Sequence, residues 1–381
     1  VPTVSAPKRS APLDVVRGVA ILAVVAIHSF QATLGSEAVP TYSESSRTFV
    51  GFSLLRFGVE LFYLLSGWLM FSIYRANQRE TGVQYLAKRA GRIWPLWIAF
   101  TLLSFFTLAT QWTLSPVDGR FQSDSLLQWV LAIGLAVFFL GWLSPELWNI
   151  PAGGWSIQVE IGHYSIFWFL RKVTDVTLLV SVLIGYSTFF LAEYLRQYAP
   201  WDALQSFSES WIRLGLFGTW PFFVAGGLAV IWRQSEKENH KLRPMNSSAF
   251  IRVVLLVTIA ITAWWVPIPF GMTYEAVVTC VVLLSVSWVA IKWLPSLKGG
   301  AFLGRHSYFV YFAHFWILEL VIAGLYKILS PEGLPSALQF WLLFLVVFSV
   351  TLAISLALAV PSWRFFESKW ITLSRRVGTK G

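Results

Sequence analysis

Apolar runs recur along this chain, parted by shorter polar stretches. They lie near residues 13–33, 52–74, 93–110, 125–143, 154–170, 176–195, 211–232, 250–268, 274–293, 302–326 and 338–360. A spanning helix takes about 20 mostly apolar residues, and eleven such segments suit no soluble fold. The pattern therefore predicts an all-α polytopic membrane protein. Composition agrees: of 381 residues 56% are hydrophobic and only 13% charged, where soluble domains run nearer a quarter charged. Mean hydropathy is +0.64. The 21 Trp and 31 Phe suit the aromatic belts at membrane interfaces.

Charge changes the picture more. The net charge of +10 does not point to nucleic acid, because the cations sit in loops between the apolar runs. They cluster around Lys8 to Arg17, Arg75 to Arg92, Arg171 and Lys172, Arg233 to Arg252, Lys292 to Arg305, and Arg364 to Lys380. Positively charged loops stay in the cytoplasm. Eleven crossings would place Arg171 and Lys172 outside. About ten crossings place all six clusters inside, provided that segment 125–143 is re-entrant or interfacial. That segment is the choice because the polar VDGRFQSDS precedes it and the turn-forming SPELWNIPAGG follows. Both termini are then cytoplasmic, with a tail over 1–12, a transmembrane domain over 13–360 and a second tail over 361–381. Residues 233–250 read as a solvated polar connection. The expected location is a bacterial cytoplasmic membrane, with several passes through its lipid. The single cysteine, Cys280, excludes an internal disulfide and a cysteine-clustered metal site, and no metal is expected.

Some ionisable residues fall inside the apolar runs, where they are costly and usually functional. Arg17 and His28 are eleven positions apart, about 16 Å and three turns along one helix face. Snorkelling would account for Arg17 alone, whereas a neutral imidazole within a span is a natural proton handler. Arg56 and Glu60 lie one turn apart, and mutual pairing would suffice for them. The neighbouring Ser66-Gly67 allows close helix approach. Lys88, Arg89 and Arg92 open the third run. They could be a simple positive flank, but Arg89 and Arg92 also form an i, i+3 fork suited to phosphate oxygens. Glu160 lacks a local basic partner and so requires a partner from another helix, with His163 one turn on. Tyr311 and His314 share a face of the run beginning near 302, and His306 reads as a boundary residue.

These stretches together resemble the acyltransferase 3 family of integral-membrane acyltransferases, in its stand-alone form. The resemblance runs from LDVVRGVAILAVVAIHSF through FGVELFYLLSGWLMF, KRAGRIWPLW, GGWSIQVE and LGRHSYFVYFAH to WRFFESKW. Six loose motifs in the right order make a specific signal. The family moves acyl groups, commonly acetyl, from cytoplasmic acyl-coenzyme A (acyl-CoA) to hydroxyls of sugars and other acceptors. Its arginine, ten residues, then histidine falls on Arg17 and His28. Its basic pair falls on Arg89 and Arg92, and its Trp-Ser and downstream Glu on Trp155, Ser156 and Glu160. Two positions depart from the pattern: Glu60 stands where Asp is frequent, and Ile161 where a second Glu is common.

The resemblance implies a division of labour. Arg17, Arg89 and Arg92 would receive the phosphates of acetyl-CoA. His28 would act as general base on the acceptor hydroxyl, or as nucleophile through an acyl-histidine. Glu160 would join it as a catalytic residue, orienting His28 or binding the acceptor. Glu60, Ser66, Trp155, Ser156, Tyr308, Tyr311 and His314 would line the substrate path. The acceptor would be a carbohydrate, a glycolipid or a small hydroxyl-bearing molecule, and membrane lipid would surround the whole. A secondary transporter is the rival reading, since intramembrane His and Glu serve proton coupling equally well. Against it, the chain has neither duplicated halves nor a matched pair of broken helices.

Overall fold

The structure, a computed structural model, describes residues 11–34, 58–75, 81–111, 125–144, 147–171, 215–238, 298–328 and 336–377, with isolated positions between them. The expected runs at 250–268 and 274–293 lie outside the described residues, as do both chain ends, and 176–195 is described only at scattered positions. The described residues are helical and include no strand. Their helices are α1 (Ala11–Leu34), α2 (Gly58–Met70), α3 (Gly82–Ala109), α4 (Leu126–Val137), α5 (Trp155–Leu170), α6 (Leu216–Glu238), α7 (Lys298–Ile328), α8 (Ser336–Ser362) and α9 (Ser368–Val377). Single π-helical turns, Phe71–Arg75 and Trp363–Glu367, continue α2 and join α8 to α9. Among the described residues four stretches are long and apolar enough to cross a membrane: Pro12–Leu34, Gly82–Ala109, Gly299–Leu325 and Leu338–Ser374.

Two close helix contacts organise the bundle. α1 runs along α7, and α2 along α6. A Cβ at Gly304 would lie 1.6 Å from the Asp14 carbonyl oxygen, and one at Gly67 would lie 1.7 Å from that of Phe223. Only a residue without a side chain permits backbones to meet this way, which is how apolar helices associate when lipid offers no hydrophobic drive. The Ser66-Gly67 pair thus does what its sequence suggests. Around these contacts Tyr63, Phe71, Trp97, Phe167, Phe223 and Phe312 fill one core.

Several boundaries differ from the sequence pattern. α3 begins at Gly82, not near 93, because Thr81 and Gln84 cap it reciprocally: the Gln84 N–H donates to Thr81 Oγ1 at 3.3 Å and the Thr81 N–H to Gln84 Oε1 at 3.1 Å. Arg89 and Arg92 are therefore within a helix already under way. α6 continues to Glu238, into the stretch expected as a polar connection. Of the stretch expected as a tail, residues 361–377 are helical. α9 packs on α3, where a Cβ at Gly91 would sit 2.2 Å from Ser374 Cβ. Segment 125–143 yields the 12-residue α4, about 18 Å long, and a single 3-10 turn at Gly141–Leu143. Its last carbonyls, on Ala136 and Val137, accept from Trp97 Nε1 at 2.8 Å and Trp94 Nε1 at 2.9 Å, which pins the short helix to α3.

Candidate active site

α1, α2, α3, α5 and α7 line one cavity. Arg17, Ser66, Arg89, Arg92, Ser156, Glu160, Tyr308 and Tyr311 all line it, so eight of the residues singled out by sequence converge there. The turn leading into α5 sets one wall. Gly153 adopts φ +73°, a left-handed conformation natural to glycine, and a Cβ there would come within 2.6 Å of the Phe315 ring. Its N–H donates to Asn149 Oδ1 at 2.8 Å. Its carbonyl accepts from Tyr311 Oη at 3.1 Å and Ser156 Oγ at 3.3 Å, and those two hydroxyls lie 2.5 Å from each other. This turn thus ties α5 to α7.

Glu160 is buried in this cavity, and among the described residues its partners are hydroxyls rather than a cation. Ser66 Oγ and Tyr164 Oη both donate to Oε1 at 2.5 Å. Tyr308 Oη lies farther from Oε2, at 3.5 Å. Tyr164 Oη is also 3.1 Å from Ser66 Oγ, which closes a small ring of oxygens around Oε1. Hydrogen bonds to an ionised acceptor are about twice as strong as neutral ones, and this ring holds the carboxylate in one orientation. The partner from another helix that the sequence requires is thus supplied by α2 and α7, as neutral donors.

The arginines are arranged around that carboxylate. The Arg89 guanidinium lies 5.7 Å from the centre of the Tyr164 ring, and that of Arg92 lies 5.8 Å from the centre of the Tyr308 ring. Arg17 reaches the cavity while its Nη1 donates to the buried Asp14 at 2.8 Å. The i, i+3 fork read from the sequence therefore does point into one cavity.

His28 lies elsewhere. Its ring is 5.4 Å from that of His314 and 4.4 Å from that of Phe315, and it does not line the cavity. Its Nδ1 pairs with Gln31 Oε1 at 3.1 Å, so Gln31 orients this imidazole and Glu160 does not contact it. His314 Nδ1 must carry hydrogen, since it faces the Val310 carbonyl at 3.0 Å. Its Nε2 is then a lone-pair nitrogen, buried with no partner among the described residues. Tyr311 links the two regions, lining the cavity while its ring packs 5.9 Å from His314.

The remaining candidates scatter. Glu60 is buried, but its proposed partner Arg56 lies outside the described residues. Trp155 packs against the core, away from the cavity lining. His163 turns toward α6, where its Nε2 meets Thr219 Oγ1 at 3.1 Å. His306, expected at a boundary, is buried against Phe302 and Trp363. Sequence reasoning missed Tyr164, although its spacing was a usable signal. At i+4 it lies nearly above Glu160, whereas His163 at i+3 is offset to the opposite edge of that face, toward α6. Tyr63, whose hydroxyl donates to the Ser156 carbonyl at 3.2 Å, gave no comparable signal.

Comparison with known proteins extends these observations. A family model described as an acyltransferase domain matches residues 11–360. The exopolysaccharide production protein ExoZ of Rhizobium meliloti (strain 1021) is 33% identical over 116 residues. That alignment covers 29% of this chain and 32% of ExoZ, so the match spans about a third of the relative's length. No solved structure matches.

Proposed function

The chain belongs to the acyltransferase 3 family, and from that premise we propose that this integral membrane protein moves an acyl group, acetyl in the first instance, from cytoplasmic acyl-CoA to a hydroxyl of a carbohydrate or glycolipid. The observation that carries the reading is the convergence of Arg17, Arg89 and Arg92 on one buried cavity with Glu160. Coenzyme A ends in several phosphates, and guanidiniums match phosphate oxygens in charge and geometry. A carbohydrate acceptor draws support from the name of ExoZ, a protein of exopolysaccharide production.

In this reading Arg89 and Arg92 hold the phosphates, with Arg17 beside them and its charge shared with Asp14. The thioester is presented beyond Tyr311, toward His28 and His314. With Nδ1–H on Gln31, the free lone pair of His28 is on Nε2, which takes the proton of the acceptor hydroxyl. The acceptor oxygen bonds to the thioester carbonyl carbon, the C–S bond breaks, and the coenzyme A thiolate recovers the proton from His28. Enclosure among helices holds water away from the thioester.

The test uses purified protein in lipid nanodiscs with acetyl-CoA and a panel of glycans and glycolipids, reading release of free thiol. Acceptor-dependent release is expected. Arg92→Ala should raise the donor KM about tenfold or more, the loss of one charge-assisted hydrogen bond, and leave the acceptor KM nearly unchanged. An unchanged donor KM in the Arg89→Ala, Arg92→Ala double variant overturns the phosphate assignment.

A further inference from the structure

An anionic carboxylate and cationic guanidiniums share one buried cavity, and in a poorly hydrated site such groups attract strongly. Left to themselves they would pair, and each would be lost as a ligand for anything else. Glu160 instead meets hydroxyls. Two tyrosines each contact both kinds of charge. Tyr164 places its hydroxyl on Glu160 Oε1 at 2.5 Å while Arg89 lies 5.7 Å from the centre of its ring. Tyr308 places its hydroxyl 3.5 Å from Oε2 while Arg92 lies 5.8 Å from the centre of its ring. Each ring offers its negative face to a cation and its O–H to an anion.

We propose that Tyr164 and Tyr308 are positioning residues that act as insulating spacers, keeping Glu160 from pairing with Arg89 and Arg92. The two charges can then serve different parts of the reaction at once. The guanidiniums receive the phosphate-bearing donor. The carboxylate, held by Ser66 and Tyr164 at Oε1, keeps Oε2 for the hydroxyl-bearing acceptor, since its contact there is long. Tyr308 is the more informative spacer. It is half-buried, and the Arg92 guanidinium, which also interacts with the Glu367 carboxylate, lies over its ring. The inference rests on the donor reading above and assigns specific residues to it.

The experiment measures coenzyme A affinity by calorimetry, with intact folded variants in nanodiscs. Arg92→Ala is the control for the donor reading itself: if it leaves affinity unchanged, that reading fails, whatever the tyrosines do. Tyr308→Leu removes the ring and lets Glu160 and Arg92 meet, so affinity should fall about tenfold or more. In a Glu160→Gln background the same Tyr308→Leu change should cost little, because position 160 no longer carries a charge to capture the arginine. Tyr308→Phe keeps the ring and should leave affinity within about threefold of the parent. A Tyr308→Leu loss of equal size in both backgrounds overturns the spacer role in favour of simple packing. So does a tenfold loss in Tyr308→Phe, a variant that stays informative even if Tyr308→Leu does not fold.

Discussion

Replacing Glu160 with Gln separates chemistry from architecture at this site. The amide keeps the size of the carboxylate and can turn its oxygen to the Ser66 and Tyr164 hydroxyls, each at 2.5 Å from Oε1 in the parent. What disappears is the charge. A hydrogen bond to a charged group contributes about 1.5–3 kcal/mol and a neutral one about 0.5–1.5, so the two short contacts lose roughly 2–3 kcal/mol in total. Relief of a buried charge offsets part of that, and the melting temperature should fall by only a few degrees. The effect on the two substrates should differ in sign. With one negative charge gone from a cavity that also holds Arg17, Arg89 and Arg92, coenzyme A should bind as tightly as before or more tightly. Turnover should fall about 10²-fold or more, the scale of a lost acid–base or acceptor-binding group. Calorimetry with coenzyme A, thiol release with acetyl-CoA and a thermal melt on the same preparation measure all three. Turnover within threefold of the parent would refute a chemical role for Glu160. Loss of coenzyme A binding together with turnover would show instead that the carboxylate only holds the cavity together.

Three further expectations follow from other parts of the molecule. His28→Gln should lower turnover by about 10²–10⁴-fold while expression and coenzyme A affinity stay normal; near-normal turnover would move the proton acceptor to His314 or Glu160. Gly67→Ala should destabilise the protein by about 1–3 kcal/mol or more, since its Cβ would sit 1.7 Å from the Phe223 carbonyl oxygen. It should also lower turnover by displacing Ser66 from Glu160, and an unchanged melt and rate would contradict the close α2–α6 contact. Cysteines introduced at Lys172 and Lys241, with Cys280 replaced, should both be labelled only from the cytoplasmic side, and outside labelling at Lys172 would favour eleven crossings.

Helices were legible in the sequence wherever apolar runs had the length of a span, as in α1, α7 and α8. Their ends were less so, because a cap such as Thr81 with Gln84 extends a helix through polar residues that hydropathy discards. The Arg89 and Arg92 fork was legible because 3.6 residues per turn fixes which side chains share a face. The motif order from Arg17 to Trp370 was enough to indicate the family. What no local pattern contained was the pairing between helices. Ser66 on α2 and Tyr308 on α7 reach Glu160 on α5 only because packing sets each helix at one depth and rotation, with Gly67 and Gly304 letting backbones touch. The same packing turned His28 to His314 and Gln31, away from the carboxylate with which the sequence had grouped it. Spacing along one helix is a property of its backbone, but contact across helices depends on relative depth and rotation. Those are set by the sum of many weak packing contacts, and only the folded bundle decides them.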